Sequence, residues 1–421
     1  MKKRIIIVLS ILIVILISAF IYFKLFHNAN TIIIKKKDNT VPVFEISLNN
    51  TTLDEITSNP KTIKYKDNNI KIIEEDKLLY EDIITIKGRG HTTWDFPKKP
   101  YQITFSEEID LFGLGSSKKW ILLSNFVDET NLRNHLTFLL GRSLNMPYTN
   151  DGIFIDLYID GEYQGIYYLT QKIEIGKDRI DLKNDDGIVM EIDNFHYKEE
   201  EVRFNSDIEQ TYITLKDIKN EEYQEEAFNN FKEKYNQLEQ AIFDYDWESI
   251  LELCDIESFA KYYLISEFTK NGDAYKTSFY LYMDGKNDKI HAGPIWDFDI
   301  AYKNNIRPLI TNSLKYFKYN HFVDTTSSIK STKEEKTVHI FDKLLEKEEF
   351  NQLLSKIYKE EMKDTKDSLL TEIDKQYEII KNSVYKNIDL WKYQDTYQES
   401  LNVLKEYINK RYEELDELYK D

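Results

Sequence analysis

The chain has 421 residues, 41% of them hydrophobic and 14% aromatic, enough to bury one large core or two lobes, so it reads as a folded protein. Its net charge of -18 is spread along Lys/Glu/Asp-rich stretches and excludes nonspecific nucleic-acid binding through a general surface field. The single cysteine, Cys254, excludes an intramolecular disulfide, and without zinc-type Cys/His spacing or HExxH any metal site should be oxygen-rich, which suits magnesium or manganese.

Met1-Lys2-Lys3-Arg4 precedes an apolar run from Ile5 to Phe23. At 1.5 Å per residue this run is long enough for a hydrocarbon core of roughly 30 Å and predicts one transmembrane helix over residues 5–23. The basic cluster places the N-terminus in the cytoplasm, giving a single-pass protein of the cell membrane with an extracytoplasmic C-terminal domain. A cleaved signal peptide is the rival reading. Residues 1–30 are thus anchor and stub, and 31–40 a linker.

From Val41 to about Phe105 the sequence alternates as antiparallel strands, in VFEISL, DIITIKGRG and KKPYQITF. Between two of them, Gly88-Arg89-Gly90 through Pro100 joins a glycine turn to Lys98 and Lys99. Glycines that admit close backbone approach, the hydroxyls of Thr92 and Thr93, and Arg89, Lys98 and Lys99 are the parts of a phosphate cradle. Taken alone, the same stretch reads sooner as a hairpin turn with surface lysines and a packed Trp94. From Lys118, a strand leads to a helix that Asp128 caps and Pro147 ends, with Arg133 as an ion-pair partner. A hairpin turning at Asp160-Gly161 follows, then the strand GIVMEID, whose Glu191 and Asp193 read as rim or structural carboxylates.

Residues 198–222 are charged and lack a clear period beyond a strand at Tyr212–Leu215. Helices run from about Glu221 to Phe268 and lead into the stretch Phe268–Tyr302. There Asp273 follows a Lys-Asn-Gly breaker, and Asp297 and Asp299 flank Phe298 after Pro294, Ile295 and Trp296. The intervening segment reads as two short strands turning at Asp284-Gly285, so a hairpin would return Asp273 to Asp297 and form a metal and acid/base cluster. After an irregular segment to about Glu334, three amphipathic helical runs read as core packing.

GRGHTTWDFPKKPY, LLSNFVDETNLRN, GEYQGIYYLT, NGDAYKTSFYLY and GPIWDFD, in that order over roughly Val43–Tyr302, resemble the spore coat protein H (CotH) kinase family. The resemblance implies an α+β, atypical protein-kinase-like fold with a β-rich N-terminal lobe and a helical C-terminal lobe. It makes residues 41–334 a catalytic domain and 335–421 a helical region completing the second lobe. The implied activity is transfer of phosphate from ATP to Ser or Thr of surface or spore coat proteins, with magnesium or manganese. On this resemblance Asp273 is the catalytic-loop aspartate and Asp297 the metal aspartate. Asp299 and Ser278 are further metal-side residues, Ser278 standing where kinases place asparagine. Gly88, Arg89, Gly90, Lys98 and Lys99 hold the nucleotide, with Lys98 or Lys99 as the positive group. Two other classes are kept beside it: a non-catalytic surface adhesin or coat component with this fold, and a metal-dependent phosphohydrolase built on clustered aspartates.

Overall fold

The structure is a computed structural model, and it describes residues 31–194, 201–302, 304, 339–392 and 396–420. The N-terminal part is built from β1 (Ile32–Ile34), β2 (Val43–Ser47), α1 (Leu53–Ser58), β3 (Tyr65–Glu74), β4 (Lys77–Gly88), β5 (Tyr101–Leu111) and β6 (Ser116–Leu123). It continues through α2 (Arg133–Ser143), β7 (Gly152–Ile159) and β8 (Glu162–Gln171). Seven of these strands run in the order β5-β4-β3-β2-β7-β8-β6, and β6 pairs back onto β5, so the sheet closes into a barrel. Closure removes every edge except where β1 adds in parallel to β5, Ile32 opposite Ile109. One internal pair is also parallel, β2 with β7, and it joins residues more than a hundred positions apart.

Alternation decides what the barrel encloses. Phe44, Ile46, Ile70, Ile72, Ile84 and Ile86 point inward on β2, β3 and β4, and Trp120, Leu122, Leu157 and Leu169 close the same core from the other side. Along β6–β8 the residues of opposite parity are apolar too. Ile121, Phe154, Ile166 and Tyr168 face outward into a second, larger core. These strands are buried on both faces, and the rest of the chain packs there.

That second part contains β9 (Gly187–Ile192), β10 (Arg203–Asn205), β11 (Tyr212–Ile218), α3 (Gln224–Phe243), α4 (Trp247–Leu253) and α5 (Ile256–Thr269). After them come β12 (Phe279–Asp284), β13 (His291–Ala292), α6 (Ile340–Leu345), α7 (Glu348–Ile357), α8 (Lys366–Trp391) and α9 (Tyr397–Leu418). Its strands form an antiparallel five-stranded sheet in the order β10-β11-β9-β12-β13. The α+β class holds, but the kinase-like pair of lobes does not. The first part is a closed barrel, and the second is organised around its own sheet because β9, read in sequence only as a further short strand, pairs with both β11 and β12.

The predicted transmembrane helix over 5–23 lies outside the described residues. Among the described residues no helix is long and apolar enough to cross a membrane. The single-pass, membrane-anchored location has no support among the described residues.

Candidate active site

A cavity of about 940 Å³ opens between the barrel and the second sheet. The barrel contributes Lys61, Lys87, Arg89, Ile121 and Leu123. The strands β9, β11 and β12 contribute Glu191, Lys216 and Tyr280. The two loops that flank the β12–β13 hairpin contribute Asp273, Ser278, Trp296, Asp297 and Asp299. The expected return of Asp273 to the Asp297 turn is what the structure shows: β12 pairs antiparallel with β13, Leu281 opposite Ala292.

Each loop has a definite origin. Helix α5 stops at Lys270, which takes a left-handed conformation (φ 48°) and sends the chain into the Asp273 loop. The carbonyls left open at the helix end are taken by α9: Arg411 Nη2 donates to Glu267 O at 2.7 Å, and Tyr407 Oη to Phe268 O at 2.8 Å. The Asp297 turn rests on α2. Asp128 accepts from Arg133 N at 2.8 Å, caps that helix and forms a buried ion pair with the Arg133 guanidinium, the partner role expected of Arg133.

Charge is distributed unevenly around the cavity. Burial, followed by the negative charges of Asp297, Asp128 and Asp273, pushes the Asp299 carboxyl well above the usual carboxylate range, with Arg133 opposing. On the sheet, Lys216 and Glu191 form an ion pair at 2.5 Å. Burial works against the Lys216 charge, but Glu191 outweighs it and holds the ammonium above its usual value. Arg89 lies with its guanidinium 5.2 Å over the Trp296 ring. Burial lowers its value against the pull of Tyr280, Asp297, Glu191 and Asp299.

The two lysines of the glycine loop do not line this cavity. Lys98 is fully buried, with its ammonium on Ile166 O and 4.5 Å over the Tyr167 ring. Burial pushes it well below the usual lysine range. Lys99 donates to Trp94 O at 2.5 Å. Gly88, Arg89 and Gly90 do line the cavity. Gly90 has a φ of +82°, and at Gly88 a Cβ would stand 2.3 Å from the Trp94 ring, so the loop is shaped by packing of Trp94. Lys216 escaped sequence reasoning because it sits in the charged stretch without a period. Glu191 and Asp193, read as rim or structural groups, line the cavity, and Asp193 accepts from Thr277 Oγ1 at 2.9 Å.

The family model described as CotH kinase protein matches residues 86–415. Among solved structures, the crystal structure of a Helicobacter pylori proinflammatory kinase CtkA is similar at 10% sequence identity over 78% of this chain and 90% of that one. The TM-score between the two is 0.32. The comparison with curated proteins finds no match. The family match takes in the glycine loop, both aspartate loops and the helices that cap them, and the chain belongs to the CotH kinase family.

Proposed function

We propose that the protein is a protein kinase that transfers the γ-phosphate of ATP to serine or threonine hydroxyls of a protein, using magnesium or manganese. The observation that carries this reading is the meeting of Asp273, Asp297 and Asp299 with Arg89 and Lys216 in one cavity of nucleotide size. Phosphoryl transfer asks for positive charge on the phosphates, carboxylates for a divalent cation and a carboxylate at the acceptor hydroxyl. Asp297 and Asp299 fit the cation, since magnesium takes one or two carboxylates and completes its shell with phosphate oxygens and water. Among the described residues no group of three His, Cys, Asp or Glu side chains is arranged to hold a metal. When bound, such a cation supplies charge neutralisation on the phosphate oxygens.

Asp273 orients the acceptor hydroxyl and takes its proton. Arg89 and Lys216 face the phosphates in place of Lys98 and Lys99, and Ser278 supports the Asp297 carboxylate. The helices beyond residue 335 complete the catalytic unit, as the contacts of Arg411 and Tyr407 with the end of α5 support. The test is transfer of labelled phosphate from ATP to a serine-rich protein by the parent and two variants. Asp273→Ala keeps nucleotide binding and loses at least about 100-fold in rate. Asp297→Ala loses metal-linked binding as well. Transfer by both variants at the parent rate overturns the assignment.

A further inference from the structure

Asp297 has a φ of +69°, a left-handed conformation uncommon for any residue but glycine. Such a conformation is strained and persists only where its surroundings over-determine it. The surroundings here are specific. The peptide group between Asp297 and Phe298 is held at both ends by side chains from distant segments: Asn271 Nδ2 donates to Asp297 O at 3.1 Å, and Phe298 N donates to Asn134 Oδ1 at 2.8 Å. That peptide plane cannot rotate without breaking both bonds. Ser278 Oγ adds a third contact, donating to the Asp297 carboxylate at 3.3 Å.

Asn271 also reaches the other loop. Its Oδ1 accepts from Asp273 N at 3.2 Å. One amide side chain, only 5% exposed, therefore spans the backbone of the acceptor-side aspartate and the backbone of the metal-side aspartate. Its orientation follows from its partners, because a carbonyl must receive the NH₂ and a backbone N–H must meet the oxygen. Neither contact involves a carboxylate, so the role is geometric rather than electrostatic.

We propose that Asn271 is a positioning residue that fixes the spacing of Asp273 and Asp297 and, together with Asn134, locks the 297–298 peptide so that the Asp297 carboxylate is preset for a divalent cation. The inference rests on the kinase reading of the two aspartates. Residues that orient metal ligands from behind typically change metal affinity about 10- to 100-fold when replaced. Asn271→Asp is nearly isosteric and keeps the acceptor for Asp273 N, but loses the donor to Asp297 O and places a carboxylate against it. Electrostatics alone would tighten cation binding in that variant; the positional role weakens it. Asn271→Ala removes both bonds without adding charge.

The experiment is calorimetric titration of Mn²⁺ into the full-length protein in the presence of a saturating non-hydrolysable ATP analogue, with thermal unfolding in parallel. Both variants are expected to need at least about tenfold more Mn²⁺ for half-saturation. A merely structural role would move the unfolding temperature and leave the Mn²⁺ midpoint in place. An unchanged or lower midpoint in the folded variants overturns the inference. Should Asn271→Ala fail to fold, Asn271→Asp decides alone. Absence of nucleotide-linked Mn²⁺ binding in the parent protein overturns the kinase reading and the inference with it, whereas normal binding by the parent with unchanged variants sinks the inference only.

Discussion

The barrel and the β12–β13 region use left-handed backbone differently. In the barrel part much of it falls at turns on residues that tolerate it, Asn39, Asn50, Asp76 and Asp160, with Asp67 at a bulge in β3 and Glu75 and Phe112 among the less tolerant positions. Between Lys270 and Tyr302 it falls on Gly285 and Gly293 but also on Lys270, Tyr275, Ser278, Asp297 and Tyr302, of which only Asp297 is of a type that often adopts it. Barrel strands need only alternation and closure, so their strain is local and cheap. The site loops hold costly conformations because buried side chains from elsewhere clamp them. At Asp297 the clamps are Asn271 and Asn134, whereas at Lys270 the left-handed turn ends helix α5.

Three substitutions test that contrast. Trp120→Ala empties part of the barrel interior, where Trp120 is fully buried, and should cost about 3–5 kcal/mol of stability in urea unfolding. The Mn²⁺ midpoint of the folded variant should not change; a shift would show that the barrel core, too, sets the Asp297 turn. Lys270→Gly works on strain that serves only to end a helix. Relief of roughly 1–2 kcal/mol at a left-handed position, less the extra chain entropy of glycine, should leave a net gain of about 0.5–1 kcal/mol. Phosphate transfer should stay within about twofold, and a large loss would mean that this strain is functional after all.

The smallest effect concerns His291, at the end of the hairpin away from Asp297. Its Nδ1 lies 3.1 Å from Asp255 and its Nε2 3.2 Å from Asp288. Burial lowers its affinity for a proton, but the hydrogen bond to Asp255 and the charges of Asp288 and Asp255 outweigh it and hold the imidazole above its ordinary value. A raised folded value means the contribution is complete below the unfolded pKa of about 6.5 and fades as pH rises through the folded one. His291→Gln should therefore cost about 0.5–1 kcal/mol at pH ~5.5 and progressively less in alkali. A cost independent of pH would reduce the two contacts to packing.

The convergence of Asp273 and Asp297 was legible because it depends on a local hairpin, and a turn at Asp284-Gly285 is written in adjacent residues. Barrel closure was not legible. It depends on β2 pairing with β7 and β5 with β6, and the first of these is a contact between distant segments that alternation alone cannot specify. That Lys98 and Lys99 do not line the cavity was hidden for a related reason. Whether Lys98 points to the cavity or to Ile166 is decided by how the segment entering β5 lies against β8, not by its neighbours in sequence. Asn271 carried a readable signal as part of a helix-ending Lys-Asn-Gly. What it clamps, the 297–298 peptide, could be seen only in three dimensions.

The cap that α9 places on α5 also has a meaning in time. Arg411 and Phe268, joined by a hydrogen bond of 3.2 Å, are 143 residues apart in sequence. On a chain synthesised from its N-terminus at roughly 5–20 residues per second, Phe268 is made on the order of ten seconds before the guanidinium that ties its carbonyl. The barrel strands all precede that interval and can pair within it. The Asp273 loop gains its final anchorage only afterwards, so the nascent protein acquires its architecture first and a finished Asp273 loop last.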